Sequence, residues 1–245
     1  MRRPPGPGPL ESPMSGSALV VFLKHPRPGG VKTRLAAAIG AEAAAGLYRA
    51  LAEQVLEATT PAAGDYERLV FFDPPESLPQ MRDWLPGVRL LAQSGHDLGA
   101  RMADAFARAF ARGASRVAIV GTDAPGVSRA TVREALSALD TADVVIGPAD
   151  DGGYYLIALR APRPELFAGI EWSTPGVREQ TLARAAAAGL SVRELARLRD
   201  VDTLEDLRAE WPAVRGLLGG RKELRDAIEA VLGASGSTAP TAGPG

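Results

Sequence analysis

The chain has 245 residues, with 28 basic and 29 acidic side chains and a formal net charge of −1. This balance gives no global electrostatic reason to bind nucleic acid or an acidic membrane, so we expect neither as a partner, and any anion site must be local. The absence of cysteine excludes disulfides, thiolate metal ligands and a cysteine nucleophile, and two histidines are too few for a three-histidine zinc site.

The ends of the chain differ in composition from its middle. Residues 1–16 and 234–245 are rich in Pro, Gly, Ser and Thr and can bury almost nothing, so we predict two disordered tails around one domain at 17–233. No apolar run approaches the roughly 20 residues of a transmembrane helix, and the proline-rich start lacks the apolar core of a signal peptide. These features predict a cytoplasmic protein.

Between the tails, apolar runs of strand length alternate with amphipathic helical segments. The predicted strands are residues 18–24, 68–72, 88–91, 116–121, 143–147, 154–159 and 190–193. The predicted helices are residues 32–39, 41–58, 76–84, 98–112, 128–139, 175–188, 203–210 and 221–232. Uniformly apolar strands that alternate with helices indicate an α/β fold with a mainly parallel sheet covered on both faces. Ligands of such sheets bind beyond the carboxyl ends of the strands.

A basic loop rich in glycine and proline follows the first predicted strand. Its glycines lack a Cβ, so backbone N–H groups can approach phosphate oxygens closely, and its cations can neutralise their charge. The candidate nucleotide-binding residues are Lys24, Gly29, Gly30, Lys32 and Arg34. The spacing is not the Walker pattern, because Val31 separates Gly30 from Lys32, and this disfavours a P-loop ATPase or GTPase. The alternative is a solvated basic turn before a helix.

Asp123 follows the apolar strand 116–121 and precedes a turn that contains proline. A carboxylate at this position points into the crevice where a nucleotide would lie, and it suits a hard cation that bridges phosphate oxygens. Without cysteine and with few histidines, the expected ion is Mg²⁺ or Mn²⁺. The alternative is that Asp123 organises the turn or caps the helix that starts near Ser128.

Asp151, Gly152 and Gly153 stand just before a predicted strand. Two adjacent carboxylates, Asp150 and Asp151, repel one another, and two glycines cost backbone entropy, so structure alone explains this segment poorly. We interpret Gly152 and Gly153 as a close passage of backbone past the substrate and Asp151 as a ligand of its hydroxyls or of a metal. A hairpin turn is the alternative.

Two later segments complete the candidate site. Trp172 could cover the face of a sugar or base, or it could fill the core. The acidic cluster at 200–206 contains helix-starting residues, with Asp202 or Thr203 as the cap. If this loop folds back to the sheet edge, Asp202 could complete a metal site with Asp123. Asp97 is predicted to cap the helix that starts at residue 98.

Six motifs occur in order over residues 17–210: KHPRPGGVKTRL, QSGHDLGARM, GTDAPGVS, GPADDGGYYLIAL, FAGIEWST and LRDVDTLEDL. Together they resemble a small bacterial glycosyltransferase-like family that is associated with radical-SAM and arsenosugar- or selenium-related gene neighbourhoods. That family is similar to the GT-A superfamily of nucleotide-diphosphosugar transferases. It is more distantly similar to the molybdenum-cofactor and phospholactate guanylyltransferases.

The resemblance implies a single GT-A-like, Rossmann-like domain of three layers with a mainly parallel mixed sheet. It implies that Lys24, Lys32 and Arg34 lie near the phosphates of a nucleotide. It also implies that Asp123 binds a metal ion, and that Asp202 matches a late Asn or Asp that reaches the same ion. One departure concerns the metal motif: many GT-A enzymes carry Asp-x-Asp, whereas this chain has Gly121, Thr122 and Asp123.

Three hypotheses of function follow. The first is a Mg²⁺- or Mn²⁺-dependent glycosyltransferase, which uses a nucleotide sugar and a small-molecule acceptor, with Asp123 and Asp151 as catalytic residues and Asp151 as a candidate general base. The second is a nucleotidyltransferase, which joins an NTP to a phosphorylated small molecule with release of pyrophosphate. The third is a nucleotide-sensing domain without chemistry, which two carboxylates at a phosphate site argue against.

Overall fold

The computed structural model describes residues 16–234. The two predicted tails lie outside the described residues, apart from Gly16, which begins the first strand, and Ala234, which ends the last helix. The strands are β1 (Gly16–Lys24), β2 (Glu67–Asp73), β3 (Leu90–Ala92), β4 (Ala114–Val120), β5 (Val144–Pro148), β6 (Tyr154–Leu159) and β7 (Val192–Glu194). The α-helices are α1 (Thr33–Ile39), α2 (Ala41–Ala58), α3 (Leu78–Trp84), α4 (Leu98–Ala111), α5 (Arg129–Ala138), α6 (Val177–Ala187), α7 (Leu204–Leu217) and α8 (Lys222–Ala234).

The strands form one mixed sheet in the order β3-β2-β1-β4-β6-β5-β7. β1 pairs in parallel with β2 and β4, β2 with β3, and β5 with β7. β6 alone among these strands runs antiparallel to its neighbours, β4 and β5. The predicted α/β fold with a mainly parallel mixed sheet is therefore confirmed.

Both faces of the sheet are covered, which explains why the middle of its central strands is apolar at successive positions. In β1, Leu19, Val21 and Leu23 pack on the side of α2, α3 and α5. The intervening residues Ala18, Val20 and Phe22 pack on the side of α4 and α6. Successive side chains of a strand point to opposite faces, so a strand between two layers of helices needs apolar residues throughout. The result is the expected three-layer arrangement.

Helix α7 is longer than the sequence indicates. It was predicted to end at residue 210, but it continues through Pro212 to Leu217. Proline removes one backbone hydrogen bond and crowds the preceding turn. Val214, two residues beyond it, is fully buried in a cluster with Leu47 and Leu51 of α2. Burial of apolar surface offsets the cost of the proline, and this contribution comes from residues distant in the sequence.

The cap of α4 matches its prediction. Asp97 precedes the helix in an extended conformation, and its Oδ1 accepts a hydrogen bond of 2.7 Å from the backbone N–H of Ala100. We expect Asp97→Ala to lower the free energy of unfolding by about 1 kcal/mol, because one N–H at the helix start loses its partner. Asp97→Ser should recover most of this loss in urea denaturation. Equal losses for both variants would contradict the cap.

Candidate active site

Four loops that carry the predicted site residues meet at one edge of the sheet. β1 and β4 end there, and the hairpin between β5 and β6 turns there because β6 runs antiparallel. The fourth loop, which precedes α7, is tied to this edge by a backbone hydrogen bond of 3.0 Å from Val201 N–H to the carbonyl of Asp123. The structure thus brings the late acidic cluster next to the end of β4.

Lys32, Asp123 and Asp202 form the centre of this edge. The Nζ of Lys32 makes an ion pair with Oδ1 of Asp123 and another, at 2.6 Å, with Oδ1 of Asp202. The side chain of Lys32 is 2% exposed, whereas those of Asp123 and Asp202 are 44% and 30% exposed. Nη2 of Arg34 adds a contact of 3.2 Å to Oδ2 of Asp202. Cations from the basic loop and carboxylates from two distant segments therefore share one site.

The charges of this cluster stabilise one another. Burial alone would lower the pKa of Lys32, but the charges of Asp123 and Asp202 outweigh it and hold that pKa above its ordinary value. Burial would raise the pKa of Asp202, and the charges of Lys32 and Arg34 outweigh it and hold that pKa below its usual range. Lys32 and Asp202 are thus both charged near neutral pH.

The backbone of Lys32 and the side chain of Tyr48 shape the same edge. Lys32 adopts φ 48° and ψ 43°, in the left-handed region that residues other than glycine seldom occupy. The hydroxyl of Tyr48, on α2, accepts hydrogen bonds from Lys24 N–H at 2.7 Å and from the Thr122 hydroxyl at 3.2 Å. Tyr48 therefore ties the end of β1 to the residue before Asp123. Burial, followed by the charge of Asp123, raises the pKa of Tyr48 to about 12.

Asp200 is a fourth group at this edge, to which sequence reasoning assigned no role. Burial, followed by the negative charges of Asp123, Asp151 and Asp202, raises its pKa to about 8 against the opposing charge of Lys32. Its position within the acidic cluster was the only sequence signal. Burial and the approach of remote carboxylates, which decide its protonation, are set by tertiary structure.

The protonation of Asp200 predicts a pH dependence of stability. In the unfolded chain this carboxyl ionises near 3.8, and in the folded protein near 8. Between these values the folded state holds more protons, so its stability falls as pH rises. We expect Asp200→Asn to melt above the wild type at pH 8 in EDTA, with a gap that shrinks towards pH 5. The control is Asp140→Asn, whose side chain is 65% exposed. A gap that does not depend on pH would contradict the assignment.

The donor set fits a divalent ion only in part. Among residues 16–234, no three carboxylate or imidazole groups form a metal-binding cluster. Asp123 and Asp202 nevertheless each contact the same positively charged atom, Lys32 Nζ, through one carboxylate oxygen. Mg²⁺ is commonly held by one or two carboxylates together with substrate phosphates and water. The chain thus offers two carboxylates that would need a phosphate ligand to complete the coordination.

The other candidate residues of the basic loop are either more exposed than Lys32 or serve the conformation of the loop itself. Lys24 ends β1 with an exposed side chain, and Arg34 is 67% exposed. Gly29 has φ +74°, and a Cβ there would meet no atom within 4 Å, so it serves the turn conformation. The N–H of Gly30 already donates to the carbonyl of Arg27 at 2.9 Å.

The segment at Asp151 forms the connection between two antiparallel strands. Oδ1 of Asp151 accepts a hydrogen bond of 2.8 Å from Gly153 N–H, and its side chain is exposed at the edge. Gly152 has φ +90°, and a Cβ there would lie 2.1 Å from the carbonyl oxygen of Pro175. The hairpin alternative is therefore what the structure shows, and the close approach at Gly152 is to the protein's own backbone. Asp151 remains free to meet a ligand.

Trp172 packs in the layer of α4 and α6. A Cβ on Gly99 would lie 2.8 Å from the Trp172 ring, so this glycine gives the indole its space at the start of α4. Its Nε1 is buried and has no hydrogen-bond partner among the described residues. Trp172 therefore packs against the core, which was the alternative to covering the face of a sugar or base.

A cavity of about 550 Å³ lies beside the basic loop. It is bounded by the loop, by α2 and by α3, and its lining includes His25, Pro26, Arg49 and Trp84. The Lys32 ion pairs do not line it. The candidate site is the ion-paired sheet edge, because the buried Lys32 and the two carboxylates that pair with it converge there. No helix within the described range combines the length and the apolar character that a membrane crossing requires.

Comparison with known proteins gives relatives of two kinds. Residues 55–174 match the model of a family that is described as an uncharacterized protein conserved in bacteria (DUF2064). A "putative nucleotide-diphospho-sugar transferase" from Desulfovibrio desulfuricans, of known crystal structure, is 35% identical to the chain. The match covers 88% of this chain and 99% of that one, with a TM-score of 0.80. No curated protein is significantly similar to the chain.

More distant structures share the fold. CMP:2-keto-3-deoxy-manno-octonic acid synthetase, in complex with CTP, is 16% identical over 84% of this chain and 100% of its own, with a TM-score of 0.51. A nucleotidyl transferase from Methanothermobacter is 20% identical over 82% and 99%, with a TM-score of 0.50. Sugar-nucleotide transferase-like and nucleotidyl transferase structures are thus both among the chain's structural neighbours.

Proposed function

This chain belongs to the DUF2064 family, and on that premise we propose that it is a metal-dependent glycosyltransferase acting on a nucleotide-diphosphosugar and a small-molecule acceptor. One observation carries the proposal: Lys32 of the glycine-containing loop is buried between Asp123 and Asp202 at the carboxyl edge of the sheet. Such an edge is where open α/β sheets bind nucleotides. The narrower link to radical-SAM and arsenosugar gene neighbourhoods stays a prediction.

Each charged group at this edge has a role in the proposal. Lys24, Lys32 and Arg34 bind the diphosphate, with Gly29 and Gly30 allowing the loop to turn around it. Asp123 and Asp202 hold Mg²⁺ or Mn²⁺, which when bound neutralises the negative charge that grows on the departing diphosphate. A donor of this class is also supported by the 35% identical Desulfovibrio protein, which is described as a "putative nucleotide-diphospho-sugar transferase".

Asp151 is the candidate base. Its exposed carboxylate stands at the same edge and is close enough to Asp200 to raise the pKa of that group. In the proposed reaction the bond between the sugar C1 and the phosphate oxygen breaks, and a bond forms between C1 and an acceptor oxygen. The acceptor proton passes to Asp151, and the nucleoside diphosphate leaves.

Nucleotidyl transfer is the second candidate, and Gly121 favours it. Where Asp-x-Asp carries its first aspartate this chain has Gly121, which has no side chain to bind a metal ion, and the middle residue, Thr122, is buried with its hydroxyl donating to Tyr48. A single aspartate after this strand fits a branch in which a phosphorylated acceptor attacks the α-phosphate of an NTP. Pyrophosphate is then the leaving group.

The products decide between these candidates. We expect incubation with a panel of nucleotide sugars and acceptors, in Mg²⁺ or Mn²⁺, to release a nucleoside diphosphate, and EDTA to stop the release. Pyrophosphate release from an NTP with a phosphorylated acceptor, or exchange of labelled pyrophosphate into NTP, would instead establish nucleotidyl transfer. Nucleotide binding that raises the melting temperature without either product would support the sensing hypothesis.

A further inference from the structure

The ammonium group of Lys32 lies where a metal ion on Asp123 and Asp202 would lie. It is 2.6 Å from Oδ1 of Asp202, in contact with Oδ1 of Asp123, and its side chain is 2% exposed. A Mg²⁺ ion held by the same two oxygens would stand about 2.0–2.1 Å from each. Two cations cannot share that volume, and at such a short separation they would repel one another.

Lys32 is held in this position at a cost. Its φ of 48° places the backbone in the left-handed region, which is strained for a residue other than glycine. Such a conformation persists only where surrounding contacts require it, and its two carboxylate contacts meet that condition. An anion elsewhere at the loop would offer Lys32 an alternative partner.

We propose that Lys32 is a resident counterion, which excludes the metal ion from Asp123 and Asp202 until a polyphosphate provides another anion for its ammonium group. The inference rests on the proposed function. Metal and nucleotide then bind cooperatively: the nucleotide draws Lys32 from the carboxylates, and the ion replaces its charge there. By linkage, each ligand raises the affinity of the other by the same factor. In the absence of nucleotide the protein holds the ion weakly.

The expected size of this coupling follows from typical values. Couplings between sites change affinity by about 5- to 150-fold. We therefore expect a nucleoside diphosphate to raise the Mn²⁺ affinity of the wild type at least about 10-fold. Lys32→Met, which keeps most of the length of the side chain and removes its charge, should bind Mn²⁺ alone at least about 10-fold more tightly than the wild type. The Mn²⁺ affinity of this variant should change little when nucleoside diphosphate is added.

The experiment measures Mn²⁺ binding to metal-free protein by electron paramagnetic resonance of the free ion, with and without nucleoside diphosphate, and needs no turnover. Arg27→Met is the matched control, because it removes one positive charge from the same loop, and it should leave Mn²⁺ affinity unchanged. Lys32→Arg, which keeps the charge, should exclude the ion as the wild type does. Circular dichroism checks that each variant is folded.

Several results would overturn the inference. One is Mn²⁺ affinity of Lys32→Met equal to or below that of the wild type, and another is an equal gain in Arg27→Met. If Lys32→Met does not fold, the wild type alone decides: a Mn²⁺ affinity that nucleotide changes less than about threefold refutes the coupling. Glycosyl transfer by the wild type, together with equal Mn²⁺ affinities of the wild type and Lys32→Met, would refute this inference and leave the proposed function standing. Absence of Mn²⁺ binding under every condition would refute the proposed metal dependence as well.

Discussion

Asp123→Ala is expected to lower metal-dependent turnover by about 10²–10³-fold while the protein stays folded. Removal of one group that stabilises charge in the transition state typically lowers the rate by about this factor. Folding should survive because the Asp123 side chain is 44% exposed and Lys32 keeps its ion pair with Asp202. The measurements are turnover of the donor that product analysis identifies, across a Mn²⁺ titration, and thermal unfolding.

The matched control for this variant is Asp140→Ala. Asp140 is also a partly exposed aspartate with one ion-pair partner, Arg116, and it lies away from the site. Its activity should equal that of the wild type. If Asp123→Ala kept wild-type activity and metal dependence, Asp123 would have no place in the reaction. If it lost activity together with its thermal transition, the loss would be one of folding.

Gly152→Ala is expected to be the most destabilising of the changes considered, by about 3 kcal/mol or more. The new Cβ would lie 2.1 Å from the Pro175 carbonyl oxygen, and φ is +90°. Backbone atoms cannot move aside as a flexible side chain would, so the hairpin must separate from the start of α6. At about 2–4 °C per kcal/mol for a chain of this size, we expect a melting temperature lower by roughly 6–12 °C.

Gly64→Ala separates the two causes of this loss. Gly64 has φ +83°, close to that of Gly152, but a Cβ there would meet no atom within 4 Å. It should cost only about 1 kcal/mol, through backbone strain. If Gly152 instead serves a close approach to substrate, Gly152→Ala should be as stable as Gly64→Ala and should differ in ligand affinity alone.

Sequence reasoning reached the fold because its signals are local. Apolar runs of strand length between amphipathic segments predicted all seven strands of the described sheet, with boundaries shifted by one or two residues at every strand except β6. The end of α7 was wrong because Pro212 gives a local stop signal that burial of Val214 overrides. Local patterns cannot report such a contribution, since it depends on α2 packing against α7.

The candidate site divides in the same way. Lys32 and Asp123 could be selected from sequence, because charged residues that follow a glycine-rich loop or an apolar strand stand out in an apolar context. Asp202 was selected from its acidic cluster and from the family resemblance. That Lys32 pairs with both carboxylates, that burial raises the pKa of Asp200, and that Gly152 faces Pro175 required the tertiary structure. Local sequence patterns set the class of fold and the edge of the sheet at which the candidate site residues lie. Which charges neutralise one another depends on burial and on distances between residues far apart in the chain, and only folding sets these.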